Sequence, residues 1–201
     1  MKKLFFTLSI ITTAASTFAI EPFKGGYYVS LQGGGNYKST QLGHDERLTN
    51  NLGAIGSFAI GMRNNLNTRY ELEFTYRYNT LDKYKGHSIK GHAGTQAYMA
   101  NLVYDFPTRY FIKPYIGAGV GYAKQIFNGK LKHPSDDSVS LRVQQHTNSF
   151  AWQAIGGISC PFDAFDPLGY DIEGTIEYKF FNPRIKSSND QSIAFGLRSY
   201  F

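Results

Sequence analysis

The sequence predicts an all-β fold, an eight-stranded antiparallel transmembrane up-and-down β-barrel, and three observations carry that prediction. In residues 69–78 every even position is apolar or aromatic and every odd position is polar or charged, which is the period of a strand. After residue 19 no segment approaches the roughly 18 consecutive apolar residues of a spanning helix. The connections between the alternating segments are short at one end and long at the other, as in membrane barrels.

Eight segments show this alternation, with residues 170–180 repeating the strict form. We expect strands at 26–37, 53–63, 68–79, 94–106, 109–123, 148–161, 169–181 and 191–201. The short connections are then 64–67, 107–108 and 162–168, and the longer ones are 38–52, 80–93, 124–147 and 182–190. A soluble sandwich or barrel would have an apolar inner face and a polar outer face. Here aromatic residues flank the apolar face at both ends, as membrane-interface girdles do.

Residues 1–19 have the features of a cleaved secretory signal peptide. Lys2 and Lys3 precede an apolar run, and the small residues Thr17 and Ala19 stand three and one positions before the expected cleavage point. An uncleaved anchor is the alternative, but the run is shorter than the roughly 20 residues that a spanning helix needs. We therefore expect residues 20–201 to form a single barrel domain in the bacterial outer membrane.

In each predicted strand alternate side chains point into the barrel, a rule that we call strand parity. The charged residues at these inward positions balance, so the interior is predicted to be charged but electrically neutral. The interior of an eight-stranded barrel is just wide enough for side chains to fill, and an unpaired charge there is costly. We therefore expect an ion-pair network and not a set of catalytic acids. Its members are Arg63, Arg69, Arg77, Lys113, Lys179 and Arg198 with Glu71, Glu73, Asp105, Asp171, Glu173 and Glu177.

The long connections carry the basic excess of the chain, which has 21 Lys and Arg against 15 Asp and Glu. Such a positive end attracts anionic partners. A host anionic glycan or protein is one candidate, and lipopolysaccharide and other outer-membrane lipids are the alternative. No basic patch is interleaved with stacking aromatic residues, so no nucleic-acid partner is expected. The candidate anion-contacting residues are Lys83, Lys85, Lys90, Lys130, Lys132 and Arg142.

No catalytic or metal-binding residue is predicted. The five histidines, all in the expected long connections, have none of the spacings of zinc ligands, so no metal and no cofactor is expected. The order around His146 and Ser149 departs from the His-x-Ser-Asn arrangement of lipid A deacylase barrels. His133 and Ser135 flank Pro134 in the longest and most polar connection, which is a poor scaffold for a triad.

Three segments resemble the small Gram-negative surface-antigen barrels: 100–106 (ANLVYDF), 113–122 (KPYIGAGVGY) and 150–156 (FAWQAIG). That family includes the opacity proteins, the OmpA-type eight-stranded barrels and the major surface antigens of intracellular bacteria. The resemblance covers residues 25–201. It implies an integral outer-membrane protein with antigenic, often adhesive loops, no cofactor and no active site. The terminal Phe201 resembles the final-strand signal that the outer-membrane assembly machinery reads.

Three functions remain open from the sequence. The leading hypothesis is an outer-membrane surface antigen whose basic extracellular loops serve adhesion, or whose role in the membrane is structural. The alternative is a small outer-membrane pore, which requires a continuous water path through the lumen. A lipid-modifying barrel enzyme is the third.

Overall fold

A computed structural model describes residues 26–42, 46–48, 52–84, 87–133, 136–162, 171–184 and 188–201, and the predicted signal peptide lies outside them. For residues 39–42, 46–48, 52, 80–84, 87–93, 127–133, 136–145 and 188 only the backbone is described. Within this part of the chain no helix is long and apolar enough to cross a membrane. The strands there are β1 (Gly26–Leu42), β2 (Glu46–Leu48), β3 (Leu52–Arg63), β4 (Thr68–Tyr84), β5 (His87–Asp105), β6 (Lys113–His133), β7 (Asp136–Pro161), β8 (Asp171–Asn182) and β9 (Ser188–Tyr200).

Eight long antiparallel strands form a closed barrel, which confirms the predicted fold. Each pairs with the next along the chain, β1 pairs with β3, and β1 also pairs with β9 to close the ring. The short β2 pairs only with the end of β1, where Thr40 is opposite Leu48. Its three residues lie in the expected connection 38–52 and were missed because so short a segment shows no alternation.

Two of the connections expected to be long are mostly strand. Strand β4 continues to Tyr84 and β6 to His133, and β5 and β7 begin at His87 and Asp136. Strand β7 has 26 residues, whereas a membrane-spanning strand needs about 9 to 11. Outside the membrane a strand needs no apolar face, so the alternation disappears while the backbone pairing continues. We call the end of the barrel at which β4, β5, β6 and β7 continue past their predicted bounds the long-strand end.

The opposite, turn end has tight connections. Asn64 Oδ1 accepts hydrogen bonds from Leu66 N (2.9 Å) and Thr68 N (3.0 Å), and Asn67 takes the left-handed φ of 59° that closes the turn. The expected strand start at 109 was wrong, because residues 109–112 belong to the β5–β6 turn. Thr108 Oγ1 donates to the Ile112 carbonyl across that turn (3.0 Å).

The outer face is apolar and the inner face is polar, the inverse of a soluble protein. A row of aromatic side chains crosses five neighbouring strands in register, and all of them are exposed. Toward the turn end a second group of exposed aromatic residues includes Tyr27, Tyr70 and Tyr110. The sequence analysis expects aromatic girdles of this kind at the two membrane interfaces. The row consists of Phe58, Phe74, Tyr98, Tyr122 and Phe150.

Glycines on the inner face make room for large side chains. A Cβ at Gly61 would lie 2.5 Å from Cζ of the Tyr28 ring, and one at Gly157 would lie 2.5 Å from Cζ of Tyr115. The two tyrosine side chains are fully buried. The barrel interior is therefore filled by side chains, as expected for eight strands.

Candidate functional site

The lower layer of the lumen, nearest the turn end, is organised around Arg69. Its Nε donates to Asp105 Oδ1 (3.0 Å) and its Nη1 to Glu71 Oε1 (2.5 Å). Arg63 Nε lies 3.1 Å from the second oxygen of Asp105. Arg63 and Arg69 are opposite each other in the β3–β4 register, and the Asp105 carboxylate on β5 contacts both of these like charges.

Glu173 on β8 is a second carboxylate that several cations of the lower layer share. Its Oε2 accepts from Arg198 Nη1 (3.1 Å), Arg63 Nη2 (3.5 Å) and the Tyr200 hydroxyl (3.2 Å). Its Oε1 lies 3.7 Å from Lys113 Nζ. A buried carboxylate with this many donors has its charge fully compensated, which is the condition for burying it.

Besides Tyr200, two more tyrosines belong to the lower layer, and none of the three was among the predicted interior residues. The Tyr28 hydroxyl donates to Glu71 Oε1 (2.5 Å), and the Tyr115 hydroxyl donates to Glu177 Oε2 (2.8 Å). The Arg198 guanidinium carbon lies 5.3 and 5.5 Å from these two ring centroids. Both rings lie on the inner face by strand parity, but aromatic residues also fill the outer face, so residue type alone gave no signal.

The middle layer crosses the lumen. Lys179 on β8 forms an ion pair with Glu73 on β4, and its Nζ lies 3.0 Å from Glu177 Oε1. Glu73 Oε2 also accepts from Gln153 Nε2 and Asn101 Nδ2, both at 2.8 Å. In the closed ring β4 and β8 are four strands apart in either direction, so they form opposite walls. Buried, hydrogen-bonded side chains from β4, β5, β7 and β8 therefore fill the lumen in this layer.

The upper layer, toward the long-strand end, contains two charges that the sequence analysis assigned to connections. Lys38 and Asp190 are buried and paired in register between β1 and β9. They were misassigned because both strands extend beyond their predicted ends. Arg77 reaches into the same layer, with its guanidinium carbon 4.0 Å from the Phe181 ring centroid.

One residue expected inside the barrel is not there. Asp171 is exposed, because it is the first residue of β8, at the end where the lumen meets solvent. The structure places the other charges of the expected network on the inner face, with Glu71 and Lys113 half-buried and the rest buried.

At the long-strand end, the backbone register brings three of the six candidate cationic residues side by side. Lys90 on β5 is opposite Lys130 on β6, and Lys130 is opposite Arg142 on β7. Neighbouring strands are about 4.8 Å apart, so the three positions span roughly 10 Å. We call them the cationic row. Lys132, two residues beyond Lys130 on β6, is opposite Ser140, Lys83 is opposite Ser88, and Lys85 lies outside the described residues.

His146 and Ser149, the candidate base and nucleophile of the enzyme hypothesis, do not face each other. His146 is exposed and Ser149 is half-buried, and an odd spacing along one strand directs two side chains to opposite faces. They cannot act together as base and nucleophile. Among the described residues, no three His, Cys, Asp or Glu side chains are grouped as metal ligands would be.

Comparisons with known proteins agree with this architecture. Residues 5–198 match the family described as outer membrane protein beta-barrel domain. A search of curated proteins returns no significant relative. Among solved structures, Neisserial surface protein A (NspA) is similar with a TM-score of 0.58 and 19% identity, over 89% of this chain and 100% of that one. The attachment invasion locus protein Ail of Yersinia pestis, in complex with the heparin analogue sucrose octasulfate, has a TM-score of 0.52 and 12% identity, over 88% and 99%.

Proposed function

Since this chain belongs to the outer-membrane protein β-barrel family, we propose that it is a surface protein that binds anionic ligands at its long-strand end. The cationic row is the observation that carries the proposal. Three basic residues on three neighbouring strands form a patch of one sign, which attracts anions and can contact several negative groups of one ligand together.

The position of the row supports contact with ligands outside the cell. Lys130 lies eight residues beyond Tyr122, which belongs to the aromatic row, so the strand rises about 26 Å between them at its usual rise per residue. Each position of the row lies in a strand that is paired with its neighbour, so the backbone of β5, β6 and β7 fixes their spacing. A site on paired strands is better positioned than one on a loop.

The charge of the row and one structural relative both favour a sulfated glycan as the ligand. A sulfated glycan offers closely spaced anionic groups that suit a basic row. Ail, whose fold is similar, was crystallised with a heparin analogue. We propose the same chemical class here, with lipopolysaccharide phosphates as the competing anions. We further propose export through the signal peptide at residues 1–19 and recognition of Phe201 by the assembly machinery.

The test compares cells that display the intact barrel with cells that display Lys90→Ser, Lys130→Ser and Arg142→Ser together. A second variant, Lys90→Arg, Lys130→Arg and Arg142→Lys, changes the same positions but keeps their charge. Binding of fluorescent heparin is measured at rising salt after equal surface expression is shown. We expect salt-sensitive binding by the intact and charge-keeping forms and loss of most binding in the serine variant. Equal binding by all three forms would refute the proposal.

A further inference from the structure

Buried polar atoms without a hydrogen-bond partner are concentrated in the upper layer of the lumen. Arg77 has three such nitrogens, Nε, Nη1 and Nη2, and Asp190 has both carboxylate oxygens. Such atoms are rare in folded proteins, and a buried charge without a partner is the costliest kind. Four more atoms of this kind belong to the same layer: Asn36 Oδ1, Asn79 Nδ2, Thr95 Oγ1 and Ser192 Oγ. None of the six residues is more than 2% exposed.

The six residues come from four strands, β9, β1, β4 and β5, on one side of the barrel. Arg77 on β4 is opposite Thr95 on β5, and Asn36 on β1 is opposite Ser192 on β9. The Asn36 amide donates to Asn79 Oδ1 (3.1 Å), which leaves the Asn79 amide nitrogen and the Asn36 oxygen without partners.

Neither Arg77 nor Asp190 donates a hydrogen bond to, or accepts one from, the other. Arg77 crosses to the opposite wall and stacks on Phe181, the residue in register with Asp190. On the turn side of this layer Phe181 packs with Ala97, Ala123 and Ala151, which gives the layer an apolar floor.

We propose that the upper layer binds a small protonated oxyanion, such as hydrogen phosphate or bicarbonate, between Arg77 and Asp190. A guanidinium donates two parallel hydrogen bonds to the oxygens of an oxyanion. A carboxylate only accepts, so a ligand that contacts Asp190 must supply a proton of its own. A protonated oxyanion does both. Sulfate and chloride carry no proton at neutral pH and would be repelled by Asp190.

The remaining groups fit such a ligand. The Asn79 amide and the Thr95 and Ser192 hydroxyls add donors for further oxygens. Lys38 is opposite Asp190 in the β1–β9 register and is also buried. This site is inside the barrel and is distinct from the cationic row.

The experiment titrates the purified, refolded barrel in phosphate-free detergent with sodium phosphate or sodium sulfate at equal ionic strength. Calorimetry and phosphorus-31 line widths report binding. We expect saturable phosphate binding and sulfate binding at least tenfold weaker. Asp190→Asn removes the repelling carboxylate and adds a donor, so sulfate should then bind about as well as phosphate. Arg109→Ser, at an exposed cation of the turn end, should leave phosphate binding unchanged.

Arg77→Met should abolish binding of both anions, provided that heat-modifiable electrophoretic mobility shows a folded barrel. If that variant does not fold, Thr95→Ala offers a milder test, with an expected loss of phosphate affinity of several-fold. Three results would overturn the proposal: no binding by the folded wild type, equal affinity for phosphate and sulfate in the wild type, or phosphate binding that persists in folded Arg77→Met.

Discussion

Lys179 and Glu73 form an ion pair across the lumen from opposite walls of the barrel. Both side chains are buried, and Gln153 and Asn101 add hydrogen bonds to the same carboxylate. The pair therefore fixes the two walls at one distance and fills the space between them. We therefore expect the same two residues to contribute both to the stability of the barrel and to the closure of its lumen.

Glu73→Ala should destabilise the barrel by about 3 kcal/mol, because the buried Lys179 ammonium keeps only Glu177 as an anion and the Gln153 and Asn101 amides lose their acceptor. The double variant Glu73→Gln with Lys179→Met removes both charges of this pair, and Glu177 keeps the Tyr115 hydroxyl as a donor, so the loss should be smaller. Urea unfolding of the refolded protein in lipid vesicles measures both. A cost below about 1 kcal/mol for Glu73→Ala would show that the pair does not hold the walls together.

The intact barrel should show no reproducible unitary conductance in a planar bilayer. The middle layer spans the lumen with buried hydrogen bonds, and the lower layer adds the cluster around Glu173. Single-channel recording of the purified monomer tests this. Steps that recur at one amplitude would support the pore hypothesis and would require a water path past Lys179.

Gly61→Ala should destabilise the protein by about 1–3 kcal/mol, because the new methyl group would meet the Tyr28 ring at 2.5 Å. Gly56→Ala, on the same strand, is the matched control. A Cβ there has no heavy atom within 4 Å, so the change should be neutral or slightly stabilising. Equal effects of the two substitutions would contradict the packing of Tyr28 over β3.

Trp152, the single tryptophan of the chain, should be in contact with lipid. Its side chain is on the outer face, 38% exposed, and lies beside Phe180 with ring centroids 5.5 Å apart. Fluorescence of the barrel refolded into brominated phospholipid vesicles should be strongly quenched, whereas aqueous iodide should have little effect. The reverse pattern would mean that the outer face of β7 is not in the bilayer.

Strand parity was sufficient to predict the closed barrel and most of its interior charges, because a side chain on a spanning strand has only two directions available. Glu73 and Lys179 followed directly from this rule. It failed where the strands leave the membrane. Lys38 and Asp190 were misassigned because nothing in the alternation shows that β1 and β9 continue past the apolar region.

Side-chain type set a second limit. Tyr28 and Tyr115 lie inside the barrel, but a barrel also places tyrosines in its outer girdles, so composition could not separate the two roles. The cationic row depends on register, which the sequence does not give. Lys90, Lys130 and Arg142 become neighbours only through the pairing of β5, β6 and β7.

If anions bind at the long-strand end, two single substitutions that remove one positive charge each, at opposite ends of the barrel, should differ in their effect on heparin binding. Lys130→Ser removes the middle of the cationic row, whereas Arg109→Ser removes one exposed cation at the turn end. The salt concentration that elutes each purified barrel from immobilised heparin is measured against the wild type. We predict earlier elution for Lys130→Ser and wild-type elution for Arg109→Ser. The opposite order, or identical shifts for both variants, would contradict the account.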